Sequence, residues 1–300
     1  MFGSAVTAVM IVLEFFDVGL NTISKAAMRR GMSQFVYVVY SNALAIFILL
    51  ASSFIFYRKR TCSPPTVSII CRIFLLGLIA SSVQMLIYTG IQCSSPILAS
   101  VMIDLTPAFT FILAVMFRME KLDLRVQSSQ ARSFGTIVSI TGALMVTLYQ
   151  GPPIISTSSA DNLPIGIVLS PQANWVLGGI LLATGGFFLS LLYIVQTWII
   201  KQYPEELMVT LICCIFVTIQ CAIVSLFAER DPNAWIPKPD MGLIAIVYSA
   251  IFSVTFRSVV HTWACRKKGP VYACMFKPLG IVIAVIMGVS FLGDTLCLGR

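Results

Sequence analysis

Charge is scarce in this chain. Only 11% of its 300 residues are Asp, Glu, Lys or Arg, less than half of the roughly 25% usual in soluble domains, which excludes an ordinary soluble globule and a disordered chain alike. Histidine is scarcer still. His261 is the only one, which excludes an H-E-x-x-H metal helix and leaves no base for a Ser or Cys triad; it is expected to cap or pack at a helix end. Nine cysteines contain no C-x-x-C pair, so neither a zinc site nor a disulfide framework is expected, and small thiols packed between helices account for them. Glycosylation sequons, P-loops, G-x-G-x-x-G and G-x-S-x-G are absent as well. No cofactor, no metal and no catalytic constellation follows from these residues. A dense basic stripe is also lacking, because the net charge of +8 is spread in short clusters between apolar runs, which argues against a nucleic-acid partner.

What remains is apolar length. Hydrophobic residues make up 58% of the chain and the mean hydropathy is +0.94, spread over the whole sequence, so the bilayer is its solvent. The N-terminal stretch has no basic n-region and carries Glu14 and Asp17 in its middle, so it reads as a spanning helix and not as a signal peptide. Windows of about 20 weakly charged residues predict nine helices: 4–24, 35–57, 69–91, 96–117, 134–149, 175–198, 207–227, 241–262 and 271–292. Basic residues near the helix ends divide twelve to six in favour of a cytoplasmic N-terminus. One long connection, 150–174, is rich in Ser, Pro and Gly, carries no Lys or Arg, and reads as an extramembrane linker between residues 4–149 and 175–300.

The two sides of that linker share a pattern at a constant offset of 174. Pro96 and Ala99 match Pro270 and Ala273, and Phe117, Glu120, Leu122 and Leu124 match Phe291, Asp294, Leu296 and Leu298. The prolines and acids at equal spacing carry more weight than the apolar matches, which arise easily in membrane proteins. Five helices per unit is odd, so the second unit enters the membrane from the opposite face, the inverted-repeat design of many secondary transporters. The expected fold is therefore an all-α multi-pass membrane protein of two inverted five-helix repeats. By the same offset a tenth helix falls at about 308–323, so the chain is expected to end with nine helices present and the tenth missing. That leaves a truncated or spliced product, or a fold that tolerates an unpaired ninth helix.

Five charges lie at least five residues inside the ends of predicted helices: Glu14, Asp17, Asp104, Arg257 and Lys277. Each costs roughly 2.5–3.5 kcal/mol at a helix centre on insertion scales and needs a partner, an aqueous cavity or a protonation change. Glu14, Asp17 and Asn21 share one helix face, either as a polar wall of a pathway or as a seam that fixes packing. Asp104 precedes Pro107 by three residues and Lys277 directly precedes Pro278. Each proline frees the carbonyl four residues earlier, at Ile103 and Cys274, so two kinked helices are expected to offer unpaired acceptors beside a charge. Asp104 and Lys277 are the candidate substrate-binding pair for a zwitterionic or anionic solute, with Glu14, Asp17 and Asn21 beside them. The alternative is that the pair neutralise each other or pair with Glu14. Arg257 is expected to snorkel to the headgroups, and the Gly185-Gly186 pair to allow close helix contact.

Several stretches carry a resemblance. TPAFTF and FRMEKL after the fourth window's start, KGPVY and FLGD near the end, with GLNTISKAAMRRGMS and VVYSNAL near the beginning, together resemble the plant nodulin-like, walls-are-thin-related transporters. These are EamA-domain members of the drug/metabolite transporter superfamily, and the resemblance covers nearly the whole chain. It implies ten helices in two EamA repeats, residues 4–149 and an incomplete 175–300. It also implies export or bidirectional movement of amino acids or related metabolites such as auxin, in the plasma membrane by default or in the tonoplast. The family motif matches Thr106, Pro107, Glu120, Pro270, Lys277, Pro278 and Asp294. The expected function is a secondary transporter with alternating access at a midplane site between the repeats. Its alternative is a non-transporting isoform that regulates or pairs with a full-length relative. The expected partners are a small-molecule solute, the bilayer, and a second copy or related transporters.

Overall fold

The computed structural model describes residues 2–58, 64–93, 102–117 apart from 104, 171–236 and 241–280 apart from 278, with positions 119, 130, 134, 135, 138, 141 and 283 standing alone. Among them every regular element is a helix: α1 (Phe2–Arg29), α2 (Gln34–Tyr57), α3 (Val67–Cys93), α4 (Thr106–Met116), α5 (Pro171–Gln202), α6 (Glu206–Ala228), α7 (Met241–Lys268) and α8 (Pro270–Cys274). A 3-10 turn at Pro232–Trp235 links α6 to α7. Five of the described helices are long and apolar enough to cross a membrane, namely α2, α3 over Val67–Ile91, α5 over Val176–Gln202, α6 and α7.

The observed helices run past the predicted windows at most ends. A hydropathy window sees only the hydrocarbon core of about 30 Å, whereas the 32 residues of α5 span about 48 Å and continue into the headgroup region. Pro171 opens α5 inside the stretch read as linker, at the first-turn position where its missing N–H costs nothing. Most of the fifth predicted helix, 134–149, and most of the ninth lie outside the described residues.

Backbone chemistry sets the breaks. Gly31 closes α1 at φ 90, with the Met32 N–H reaching back to the Ala27 carbonyl at 3.3 Å, a Schellman-type ending. Gly269 stops α7 at φ 91 with its N–H on the Cys265 carbonyl at 3.0 Å, and Pro270, which has no N–H to continue the pattern, then starts α8. This is the physical content of the Lys268-Gly269-Pro270 motif: a residue that tolerates positive φ followed by one preset for a helix. Within α7, residues Ser249–Arg257 are wound as a π-helix, and the Thr255 hydroxyl donates to the Ala250 carbonyl at 2.8 Å. Such segments displace side chains relative to a plain α-helix and recur at functional sites.

Specific contacts fix the directions of the helices. Asn42 meets Gln84 and Gln34 meets Thr89, so α2 and α3 run antiparallel. Arg72 meets Gln202 while Gly90 faces Leu182, so α3 and α5 run antiparallel. Tyr57 meets Glu205 and Ser33 meets Glu229, which sets α2 against α6. Met32 touches Gly242 while Asp17 meets Arg257, which sets α1 against α7. The triplet α5–α7 therefore runs opposite to α1–α3. A shift of 174 carries Val67–Cys93 onto 241–267, Gln34–Tyr57 onto 208–231 and Phe2–Arg29 onto 176–203, within five residues of α7, α6 and α5 at every end. Glycines permit the closest approaches: a Cβ on Gly90 would sit 2.7 Å from Leu182, and one on Gly185 3.0 Å from Ile87. The triplets meet in a core of Met10, Leu13, Val83, Leu189, Ala264 and Cys274. The seven described cysteines are thiols.

Candidate functional site

Beside that core lies a cluster of four charges. Glu14 and Asp17 come from α1, Arg257 from the end of the π segment, and Lys277 from the turn after α8. Glu14 stands twelve residues from Phe2 and Asp17 twelve before Arg29, so each is about 18 Å from the nearer end of its helix. The Lys277 ammonium lies 3.0 Å from Glu14 Oε1 and 2.9 Å from Asp17 Oδ2, and the Arg257 guanidinium lies 3.4 Å from Asp17 Oδ1. Two negative and two positive groups sum to zero, which is the condition for holding charge away from water: one buried ion alone is prohibitively costly, while a paired and hydrogen-bonded set is not. Lys277 and Glu14 are buried at 7% and 2% exposure, whereas the Arg257 side chain keeps 28%.

Local sequence places each group. The i, i+3 spacing puts Glu14 and Asp17 on one face of α1, and away from that face Gly19, where a Cβ would come 3.1 Å from the Tyr248 hydroxyl, lets α7 approach α1 closely. Phe16 stacks on Phe252 at 4.6 Å between ring centroids, sealing one flank. α8 is tied to α1 by the Tyr272 and Thr7 hydroxyls, 2.8 Å apart. Beyond Cys274 the chain tightens into turns of the 3-10 type, with Lys277 N–H to Cys274 O at 3.1 Å and Gly280 N–H to Lys277 O at 2.9 Å. This irregular stretch turns the lysine toward the carboxylates.

Arg257 and His261 are one turn apart on the same helix, so they share a face. The imidazole is 3% exposed and stacks on Tyr193 of α5 with ring centroids 5.4 Å apart and planes 18° from parallel. The Tyr193 hydroxyl makes no hydrogen bond of standard length with any described residue. Tyr37 of α2 bonds Ser24 of α1 at 2.8 Å and packs edge-on against Tyr88 of α3 at 5.7 Å. The cluster thus takes residues from both triplets.

Several expectations change here. The carbonyls freed by the prolines are not left as open acceptors: Cys274 O takes the Lys277 N–H, and Ile103 O takes the Thr106 hydroxyl. A tightened turn and a neighbouring hydroxyl suffice because each lies within three residues of the orphan. Arg257 does not snorkel. α7 runs to Lys268, so Arg257 is eleven residues, about 16 Å, from its end, and a buried carboxylate is nearer than the headgroups. His261 packs, but in the middle of the site and not at a helix end. Lys277 meets Glu14 and Asp17. Asp104, Pro278 and the side chain of Asn21 lie outside the described residues; Pro107 occupies the first turn of α4. Arg257, His261 and Tyr193 were not singled out as site residues by the sequence, although the i, i+4 spacing of Arg257 and His261 is a signal available there. Among the described residues no group of three or more potential ligands could hold a metal.

Known proteins bear on what such a site serves. Residues 176–299 match the EamA-like transporter family. Three WAT1-related proteins of Arabidopsis thaliana are 47%, 45% and 44% identical to the chain. Each match covers 97% of the chain and, respectively, 79%, 81% and 81% of the relative. The chain belongs to the WAT1-related family. As a WAT1-related protein it is an integral, multi-pass helical membrane transporter of the drug/metabolite class.

Proposed function

We propose that the chain is a secondary carrier for small organic metabolites that bear a carboxylate, amino acids first and related compounds such as auxin second, working by alternating access around the Glu14–Asp17–Arg257–Lys277 cluster. The observation that carries the reading is the cluster's zero net charge at mid-helix. A zwitterion can enter it by exchange: its carboxylate takes Arg257, the most accessible member, its ammonium takes Glu14 or Asp17, and the pocket stays neutral throughout. A bare anion would add one uncompensated charge, which the surroundings resist. Asp104, Asn21, Pro107 and Pro278 belong to the same proposed pathway.

The opposite senses of α1–α3 and α5–α7, in register at an offset of 174, support an inverted pair of repeats across 4–149 and 175–300, and hence rocking of one unit against the other about the cluster. The plasma membrane is the proposed location, with the tonoplast second. The test is uptake and efflux of a labelled amino-acid panel in oocytes or vesicles, with surface expression quantified, for the wild type and Arg257→Gln. Saturable transport that falls at least tenfold in the variant at equal expression is expected. No transport of any solute at full surface expression would favour the alternative, a non-transporting member that pairs with relatives.

A further inference from the structure

Among the described residues, buried polar atoms without a hydrogen-bond partner fall on Glu14, Gln34, Ser53, Tyr193, Gln220 and His261, and only in His261 are there two. Gln34 and Gln220 each leave one amide atom unpaired among the described residues, but the other atom of each amide is bonded, to Thr89 and to Ser81, and an amide can be turned to suit. In His261 neither ring nitrogen has a partner among the described residues, and the residue is 3% exposed. Its stacking neighbour Tyr193 is in the same condition at its hydroxyl. Native interiors satisfy nearly all such groups, and each exception needs an explanation, such as a water or a bound ligand. Here two exceptions lie together, on facing helices, beside the one cation of the cluster that keeps appreciable exposure.

We propose that His261 and Tyr193 form a side-chain-reading subsite: once the solute's carboxylate engages Arg257, they exchange hydrogen bonds with an N–H, O–H or amide on the part of the solute remote from that carboxylate. This rests on the carrier reading above and deepens it. One helical turn separates Arg257 from His261, about 5–6 Å between their Cβ atoms, so the two contacts fall on different parts of a solute and the imidazole does not read the α-amino group. A neutral imidazole supplies one donor and one acceptor, and the phenol either. The favoured solutes are amino acids with a hydrogen-bonding side chain, in preference to their apolar isosteres.

The experiment uses the full chain, purified and reconstituted, and three matched pairs that differ in one hydrogen-bonding group: tyrosine and phenylalanine, tryptophan and 1-naphthylalanine, glutamine and methionine. Uptake and ligand-induced thermal stabilisation are measured for the wild type, His261→Phe and His261→Asn. The expected result is a preference of about tenfold for the polar member of at least one pair in the wild type, lost in His261→Phe and partly kept in His261→Asn, with the apolar member handled equally by all three proteins. A wild type without preference, or His261→Phe with an unchanged one, overturns the subsite while leaving the carrier reading intact. If nothing is transported but polar members stabilise the wild type and not His261→Phe, the subsite stands and the carrier reading falls. Stabilisation by neither member of any pair removes the subsite.

Discussion

The α1–α7 side of the bundle holds four charges, whereas the α2–α3–α6 side holds neutral amides and hydroxyls. On the neutral side Asn42 donates to Gln84 at 3.0 Å and to the Val38 carbonyl at 2.8 Å, Ser81 donates to Gln220 at 3.1 Å, and the Cys214 thiol leans on the Asn42 carbonyl at 3.6 Å. These contacts hold neighbouring helices at a fixed register, and water or a side-chain flip can mend the loss of any one. On the charged side each ion depends on the others for its neutrality. Polarity inside a membrane bundle therefore comes in two grades, one that sets packing and one that sets what the interior can accept.

The largest expected effect breaks the charge balance. Lys277→Met leaves Glu14 and Asp17 sharing a single cation, and removing one partner of a buried ion pair costs about 3–5 kcal/mol; the variant is expected to lose most of its folded yield in a detergent thermal-unfolding assay. Adding Glu14→Gln restores neutrality, with Asp17 and Arg257 still paired at 3.4 Å. The double variant should regain much of the thermal stability but not the transport rate. A double variant no more stable than Lys277→Met would mean that packing, and not charge, sets the role of this region.

The neutral side should give way more gently. Asn42→Leu strands Gln84, at a cost near the roughly 0.6 kcal/mol average and below the roughly 1.7 kcal/mol maximum measured for interhelical hydrogen bonds in a membrane bundle. Transport per surface molecule is expected to stay within twofold of wild type, read by the same uptake assay. A loss as deep as that of Lys277→Met would erase the distinction between the two sides and place Asn42 on the pathway.

The sequence exposes these regions unequally. Seven of the nine predicted windows overlap a long described helix or α4, because hydropathy reports directly on the lipid-facing shell. The charged residues are equally visible, since each is an exception within an apolar run. Their partners are visible only in part: Lys277 with Glu14 stands among the alternatives the sequence offers, whereas Asp17 with Lys277 and with Arg257 does not. Arg257 reads as a headgroup anchor until the helix is seen to continue to Lys268, and the π winding of Ser249–Arg257 has no periodic signature that a window could detect. His261 and Tyr193 are ordinary residues one by one; only the stacking of α5 against α7 makes them a pair with unmet hydrogen bonds. Pairing across 240 to 263 residues of chain is a property of topology, which local pattern does not encode.

The smallest expected effect separates distance from environment. At the end of the bundle Arg266 meets Glu206 at 2.6 Å, closer than any contact in the buried cluster, and also donates to the Pro204 carbonyl at 2.9 Å. Its side chain is 39% exposed and that of Glu206 21%, so water screens the attraction, and exposed pairs of this kind contribute about 0.2–1 kcal/mol. A double-mutant cycle on Arg266→Ala and Glu206→Ala should therefore return a coupling below about 1 kcal/mol that shrinks as salt rises. The cycle on Lys277 and Glu14, with longer contacts but almost no solvent, should return several-fold more and respond little to salt. An end pair as strongly coupled as the buried one would show that this end of the bundle is held shut by charge, and that the burial of an ion pair does not set its worth in this protein.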